Sequence, residues 1–240
     1  MADSIHYNAP CELYRHFLRS DKDFYRVLYD IPCFILYDSC KSMYKSKLDA
    51  EEIKKKVKRY GINYPNPIGS WKDGEALYIE YVENAKNAPA YFSISRETYW
   101  HFRDGDSTEF ERAMLLAYLA VKSMVGKRDM IKTNMVAICS RMDGNTKPKR
   151  AAELSEGVTK YLNRYWSNKL LSALYEKRGV TFYGGNKCHK VRGFYCSTTL
   201  SMEELIIKAE ADMEWTRNRP ADPLREARRL AMEKLNINSS

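Results

Sequence analysis

The sequence predicts an α+β chain, mostly α. Long stretches carry apolar residues at helical spacing, three of them in series between residues 110 and 178. Short runs rich in Tyr, Phe and Val, bounded by Gly and polar residues, stand before and after that series. At 240 residues, 44% hydrophobic and 30% charged, the chain can bury a sizeable core. That balance excludes a disordered or collagen-like polymer.

The first 45 residues mix aromatic and charged positions without a clean period. Residues 11–18 read as a short helix, and residues 24–37 are an apolar run interrupted by Asp30 and Pro32. Residues 49–60 are clearer. Asp49 is a capping residue, acids fill the first turn, bases fill the last, and Gly61 follows. Ile53, Val57 and Tyr60 mark its apolar face. Residues 63–74 hold Pro65, Pro67, Gly69 and Gly74, which read as turn chemistry, and residues 76–82 alternate as a strand would. The polar connector 83–89 then divides the chain. Residues 1–89 form an N-terminal α+β region to which the sequence assigns no role.

Beyond the connector, residues 90–95 read as a strand and Ser95 as the cap of a helical turn. Ser107, Thr108 and Glu109 open a long helix over 110–125 that Gly126 closes. Phe110, Met114, Ala117, Tyr118 and Val121 form its buried stripe. A second helix is expected over 130–142, capped by Thr133 or Asn134, then a polar linker over 143–157. A third helix is expected over 158–178, with Leu162, Trp166, Leu170, Leu171 and Leu174 facing the core and Gly179 ending it. Residues 180–183 and 191–197 are paired strands around a glycine-rich, basic tip. Three helices plus a β-hairpin wing make a winged helix over residues 90–200, to which the 91–94 strand would add a third strand.

Charge sharpens this reading. Residues 122–196 hold sixteen Lys/Arg against five Asp/Glu, a net of +11, while residues 201–240 hold seven against eight. A confined basic segment is the electrostatic footprint of a polyanion-binding surface. The expected partner is double-stranded DNA, because a helix fits the major groove and a wing reaches the adjacent backbone. The candidate contacts are Asn163, Arg164, Asn168 and Lys169 on the third helix, Lys187, Lys190 and Arg192 on the wing, and Lys127, Arg128 and Lys132 before the second helix. Ser167 is a further candidate on the third helix.

Between about residues 91 and 197 the chain resembles winged-helix DNA-binding domains, more loosely the amino-terminal domains of plasmid and phage replication initiators. The resemblance rests on YFSIS at 91–95, the alanine/leucine helix at 110–125, and the helices KTNMVAICSRM and NRYWSNKLLSALYEKRGV. It implies a role in replication initiation or transcription regulation of a mobile element. The longer linker at 143–157 departs from a tight helix-turn-helix and implies that the third helix begins late. Residues 1–85 share nothing with that group.

Enzyme signatures are missing. His189 to Arg192 fits H-x-x-R, but no tyrosine follows Tyr195 to serve as a recombinase nucleophile. No phosphate-loop or nucleophile-elbow motif occurs. Cys188, His189 and Cys196 lack a fourth zinc ligand, and Asp104 and Asp106 read as turn formers. The sequence therefore predicts no catalytic residue, no metal and no cofactor. With no apolar stretch near ~20 residues and no secretory leader in residues 1–4, a cytoplasmic protein is expected. Six cysteines without framework spacing read as reduced thiols. The C-terminal tail, 201–240, opens with a Ser201/Glu204 capping box, holds a helix to about Trp215, breaks at Pro220 and Pro223, and continues as a charged helix. These helices suit packing on the body or homodimerisation. The alternative function class is a protein–protein adaptor that uses the winged scaffold without nucleic acid.

Overall fold

The computed structural model describes residues 5–41, 50–60, 67–184 and 193–218. Among them the fold is α+β and mostly helical, with two small antiparallel sheets. Strand β1 (His6–Pro10) opens the chain, followed by a tight 3-10 turn at Cys11–Tyr14 in place of the expected helix over 11–18. Helix α1 (Asp21–Cys40) begins at Ser20, whose side chain accepts from the Asp23 N–H at 3.1 Å.

Helix α1 runs unbroken through Pro32, where the sequence showed only an interrupted run. Proline has no N–H to give the carbonyl four residues back, so Leu28 O loses its helical partner. The Tyr99 hydroxyl donates to that oxygen at 2.5 Å, from a ring that is 2% exposed. Tyr99→Phe should therefore strand a buried carbonyl and cost about 1–3 kcal/mol in denaturant unfolding. In a Pro32→Ala background, which restores the N–H, the same change should cost about 1 kcal/mol less. Equal costs in both backgrounds would disconnect the two residues.

Helix α2 (Ala50–Tyr60) matches expectation: Ile53 is buried and Val57 and Tyr60 pack beside it. The next segment does not. Residues 67–78 form helix α3 (Pro67–Tyr78), and residues 79–83 continue as a π-helical turn. Residues 63–66 of the turn segment expected over 63–74 lie outside the described residues; the rest of it, and the strand expected over 76–82, are helical instead. The physical reason is packing against α1. A Cβ on Gly74 would stand 2.0 Å from Cys33 O, so the glycine lets the two helix backbones touch. Trp71 and Tyr78 then pack on Tyr37 at a tilt, with ring centroids at 5.1 and 5.3 Å and interplanar angles of 51° and 48°.

Strand β2 (Tyr91–Ser95) pairs with β1, from His6 opposite Ser95 to Pro10 opposite Tyr91. The expectation that this strand joins the wing sheet is thereby corrected. It is followed directly by helix α4 (Arg96–Asp104), capped by Ser95, and by helix α5 (Glu109–Val125). Thr108 and Glu111 close a capping box at the start of α5, and Gly126, at φ 60°, ends it. Nearly every side of α5 is buried, as expected of a helix that is apolar around its circumference.

Strand β3 (Ile131–Thr133) joins a three-stranded sheet with the two later strands, where the sequence suggested the start of a helix. Helix α6 (Met135–Met142) begins only after Asn134, whose side chain accepts from the Ala137 N–H at 2.9 Å. The segment read as one helix over 158–178 is two: a short helix α7 (Glu156–Thr159) that tightens into a 3-10 turn at Lys160–Leu162, then helix α8 (Arg164–Arg178). Asn163 breaks the run because it is extended and caps α8. Gly179, left-handed at φ 65°, ends α8 as expected.

Strands β4 (Thr181–Tyr183) and β5 (Phe194–Ser197) form the hairpin, and the sheet order is β3-β5-β4. The two-residue period sorts its faces. Ile131, Cys196 and Phe182 pair across one row, and Lys132, Tyr195 and Tyr183 across the next. Ile131, Cys196 and Phe182 belong to the main core, while Tyr195 and Tyr183 belong to a separate cluster under helix α9 (Met202–Asn218). Helix α9 starts at the expected Ser201/Glu204 capping box and runs three residues past Trp215. The second tail helix lies outside the described residues.

One continuous core joins Tyr7, Phe24, Phe34 and Phe92 to Leu116, Ile138, Leu170 and Leu174, so it passes from one side of the 83–89 connector to the other. Among the described residues, no helix is long and apolar enough to cross a membrane.

Candidate nucleic-acid interface

Burial of Leu170 and Leu174, with Ser167 and Ala173 nearly as covered, turns one side of α8 inward. The opposite side carries Tyr165, Asn168, Ser172 and Tyr175 at i, i+3, i+7 and i+10, all exposed, with Arg164 and Lys169 beside them. These two tyrosines, 65% and 50% exposed, are the most exposed tyrosines among the described residues. From Tyr165 to Tyr175 the ridge rises about 15 Å, so it spans about three turns of hydrogen-bonding and aromatic groups. Glu176 lies at its far end and opposes the positive charge there.

The sequence-derived candidates divide into groups. Arg164 and Asn168 are exposed on the ridge. Asn163 is the N-cap of α8: its side-chain oxygen accepts from the Tyr165 N–H at 2.9 Å, which commits that oxygen to the helix. Ser167 faces inward and donates to Arg164 O at 3.1 Å, which corrects its place among the contacts. Lys169 leans toward α5, with Nζ 4.8 Å from the Phe110 ring centroid and 5.1 Å from that of Trp166. Lys187, Lys190 and Arg192 lie outside the described residues. Tyr165, Ser172 and Tyr175 escaped sequence reading, which turns Leu162, Trp166 and Leu171 to the core. In the structure those three are half-buried, and Ser167 and Ala173 are buried with Leu170 and Leu174.

Lys127, Arg128 and Lys132 do not sit at the start of α6, because β3 and Asn134 intervene. Lys127 is exposed in the turn after α5. The Arg128 guanidinium folds back onto α5, donating to Met124 O and, at 3.4 Å, to Val125 O, where the helix dipole also favours a cation. Lys132 is exposed on β3, with Nζ 5.7 Å from the Tyr195 ring centroid. Arg128 and Lys132 share a groove with Arg141 that none of the α8 residues lines. The candidates therefore form two patches.

The linker over 143–157 is pinned by buried polar groups. Asp143, 1% exposed, accepts from the Ser155 N–H at 3.2 Å, and the buried Ser140 hydroxyl donates to Lys147 O and accepts from the Lys149 N–H. Gly144, at φ 78°, packs against the backbone of Cys11 and Glu12. This fastens the linker to the N-terminal region and holds Lys147 and Lys149 in place.

Burial pushes the Cys11 thiol up to about 11 and those of Cys139 and Cys196 up to about 12, so all three stay protonated at neutral pH and act as small core residues. Among the described residues, no group of three or more His, Cys, Asp or Glu is placed to hold a metal ion. Cys188 and His189 lie outside them.

Comparison with protein-family models, curated proteins and solved structures finds no match to this chain.

Proposed function

We propose that the chain is a DNA-binding protein in which α5, β3, α6, α8, β4 and β5 make a winged helix and α8 reads the major groove. The observation that carries the proposal is the uncovered ridge of α8 within a helix–strand–helix–helix–strand–strand order whose sheet runs β3-β5-β4. That order places a recognition helix immediately before a hairpin, as winged-helix readers do. Tyr165, Asn168 and Ser172 present donors and acceptors to base edges, and Arg164 and Lys169 supply positive charge to the backbone. Lys187, Lys190 and Arg192, which lie outside the described residues, belong to the same basic stretch of sequence and are the proposed further phosphate contacts. Action in replication initiation or transcription regulation of a mobile element belongs to the same proposal, resting on the resemblance described above.

A mobility-shift titration against a random-sequence duplex over a range of salt tests it. Arg164, Lys169 and the three wing cations together imply a log–log slope of about −4 to −5, at roughly −0.9 per phosphate. Replacing Lys187, Lys190 and Arg192 with alanine should make the slope shallower by about three. Failure to shift any duplex at modest salt would overturn the proposal in favour of an adaptor without nucleic acid.

A further inference from the structure

Between α5, β3, α6 and the 145–148 loop lies a groove of about 560 Å³, within the ~300–1,000 Å³ common for small-molecule sites. Three cations border it: Arg128, Lys132 and Arg141. None makes an ion pair among the described residues, whereas Arg112, Lys160 and Lys208 each meet a carboxylate. Two of the three are fixed by neutral acceptors. Arg128 holds the carbonyls that end α5, and Arg141 donates to Ser123 Oγ at 3.2 Å and to Thr146 O at 2.9 Å. Such bonds set the position of a guanidinium without cancelling its charge. One carboxylate stands at the rim, Asp212 on α9. It accepts from the hydroxyl of Tyr195, also in the lining, at 2.7 Å and keeps its charge, so three cations face one anion. Apolar side chains, the half-buried Met124 and Met130 among them, line the same groove.

We propose that this groove binds a phosphate ester, with the phosphate held by Lys132 and the two guanidiniums and the organic remainder resting on Met124 and Met130. Fixed charges facing a partly apolar surface favour a phosphate that carries such a remainder over a bare anion. Two sources share this chemistry: a free nucleotide, and a phosphodiester within a nucleic-acid strand. The site is separate from the α8 ridge and does not depend on α8 reading DNA.

Isothermal titration of the full chain with adenosine monophosphate, and salt-dependent binding of a random duplex, distinguish the sources. Lys132 is exposed on a short strand, so Lys132→Ala leaves the core intact. If the groove takes free nucleotide, Lys132→Ala weakens adenosine monophosphate about tenfold, the scale of one charge-assisted hydrogen bond. Asp212→Asn, which removes the rim carboxylate, then strengthens it. If the source is a strand, adenosine monophosphate gives no heat and Lys132→Ala makes the duplex salt slope shallower by about one. Should Lys132→Ala change neither measurement, the groove proposal is overturned, whatever the α8 variants do to duplex binding.

Discussion

Gly74→Ala is expected to destabilise the protein by about 3 kcal/mol, the upper end of overpacking costs, and to lower the melting temperature by roughly 6–12 °C. The added methyl would stand 2.0 Å from Cys33 O and 2.9 Å from Tyr37 Cβ. The first of these is backbone, so relief requires α1 and α3 to separate. Separation would also loosen the packing of Trp71 and Tyr78 on Tyr37. Gly184→Ala is the matched control, because nothing lies within 4 Å of that site and its melting point should barely move. Thermal unfolding of both variants by circular dichroism checks the pair. A Gly74→Ala protein as stable as the parent would mean that the two helices do not pack this closely in solution.

Asn168→Ala is expected to lose about 1–3 kcal/mol of discrimination at one base position, or roughly 5- to 150-fold. The residue is exposed mid-ridge on α8 and carries an amide suited to a bidentate contact with adenine. Its stability should stay within about 0.5 kcal/mol of the parent, as for surface positions free of special backbone or packing roles. The salt slope on random duplex should also be unchanged, since no charge is removed. Site selection from a random library, repeated with Asn168→Ala and Arg164→Ala, measures the loss. Recovery of the same preferred site with the same strength by all three proteins would remove α8 as the reading element while leaving backbone binding intact.

The parts of the fold legible in the sequence are those whose signals are local. Thr108 with Glu111, Ser95, Ser201 with Glu204 and Gly179 all act within one helical turn, and each does in the structure what its type suggests. The stripe of α5 was readable only in part: Met114, Ala117 and Val121 are buried, whereas Phe110 and Tyr118 are half-buried and Leu115, Leu116 and Leu119 are buried outside it. Helix α3 was not readable, because two glycines and a proline argue against a helix until Cys33 O is seen beside Gly74. Nor was the continuity of α1, because the hydroxyl that compensates for Pro32 comes from Tyr99, 71 residues from its acceptor. Strand β3 is three residues long and has no pattern of its own; its pairing with β5 makes it a strand.

The candidate interface divides along the same line. Residue types by themselves determined that positive charge concentrates in 122–196 and that a hairpin follows a helix ending in Lys177, Arg178 and Gly179. Tertiary structure decided which of those cations act together. It turned Arg128 onto the end of α5, set Lys132 beside Tyr195, and gathered both with Arg141 away from α8. It also decided which side of α8 packs on the core, turning Ser167 and Ala173 inward and leaving Tyr165, Ser172 and Tyr175 at the surface. Charge is additive along a chain and can be counted. Which side of a helix faces inward depends on what packs against it, and that depends on contacts from residues distant in sequence.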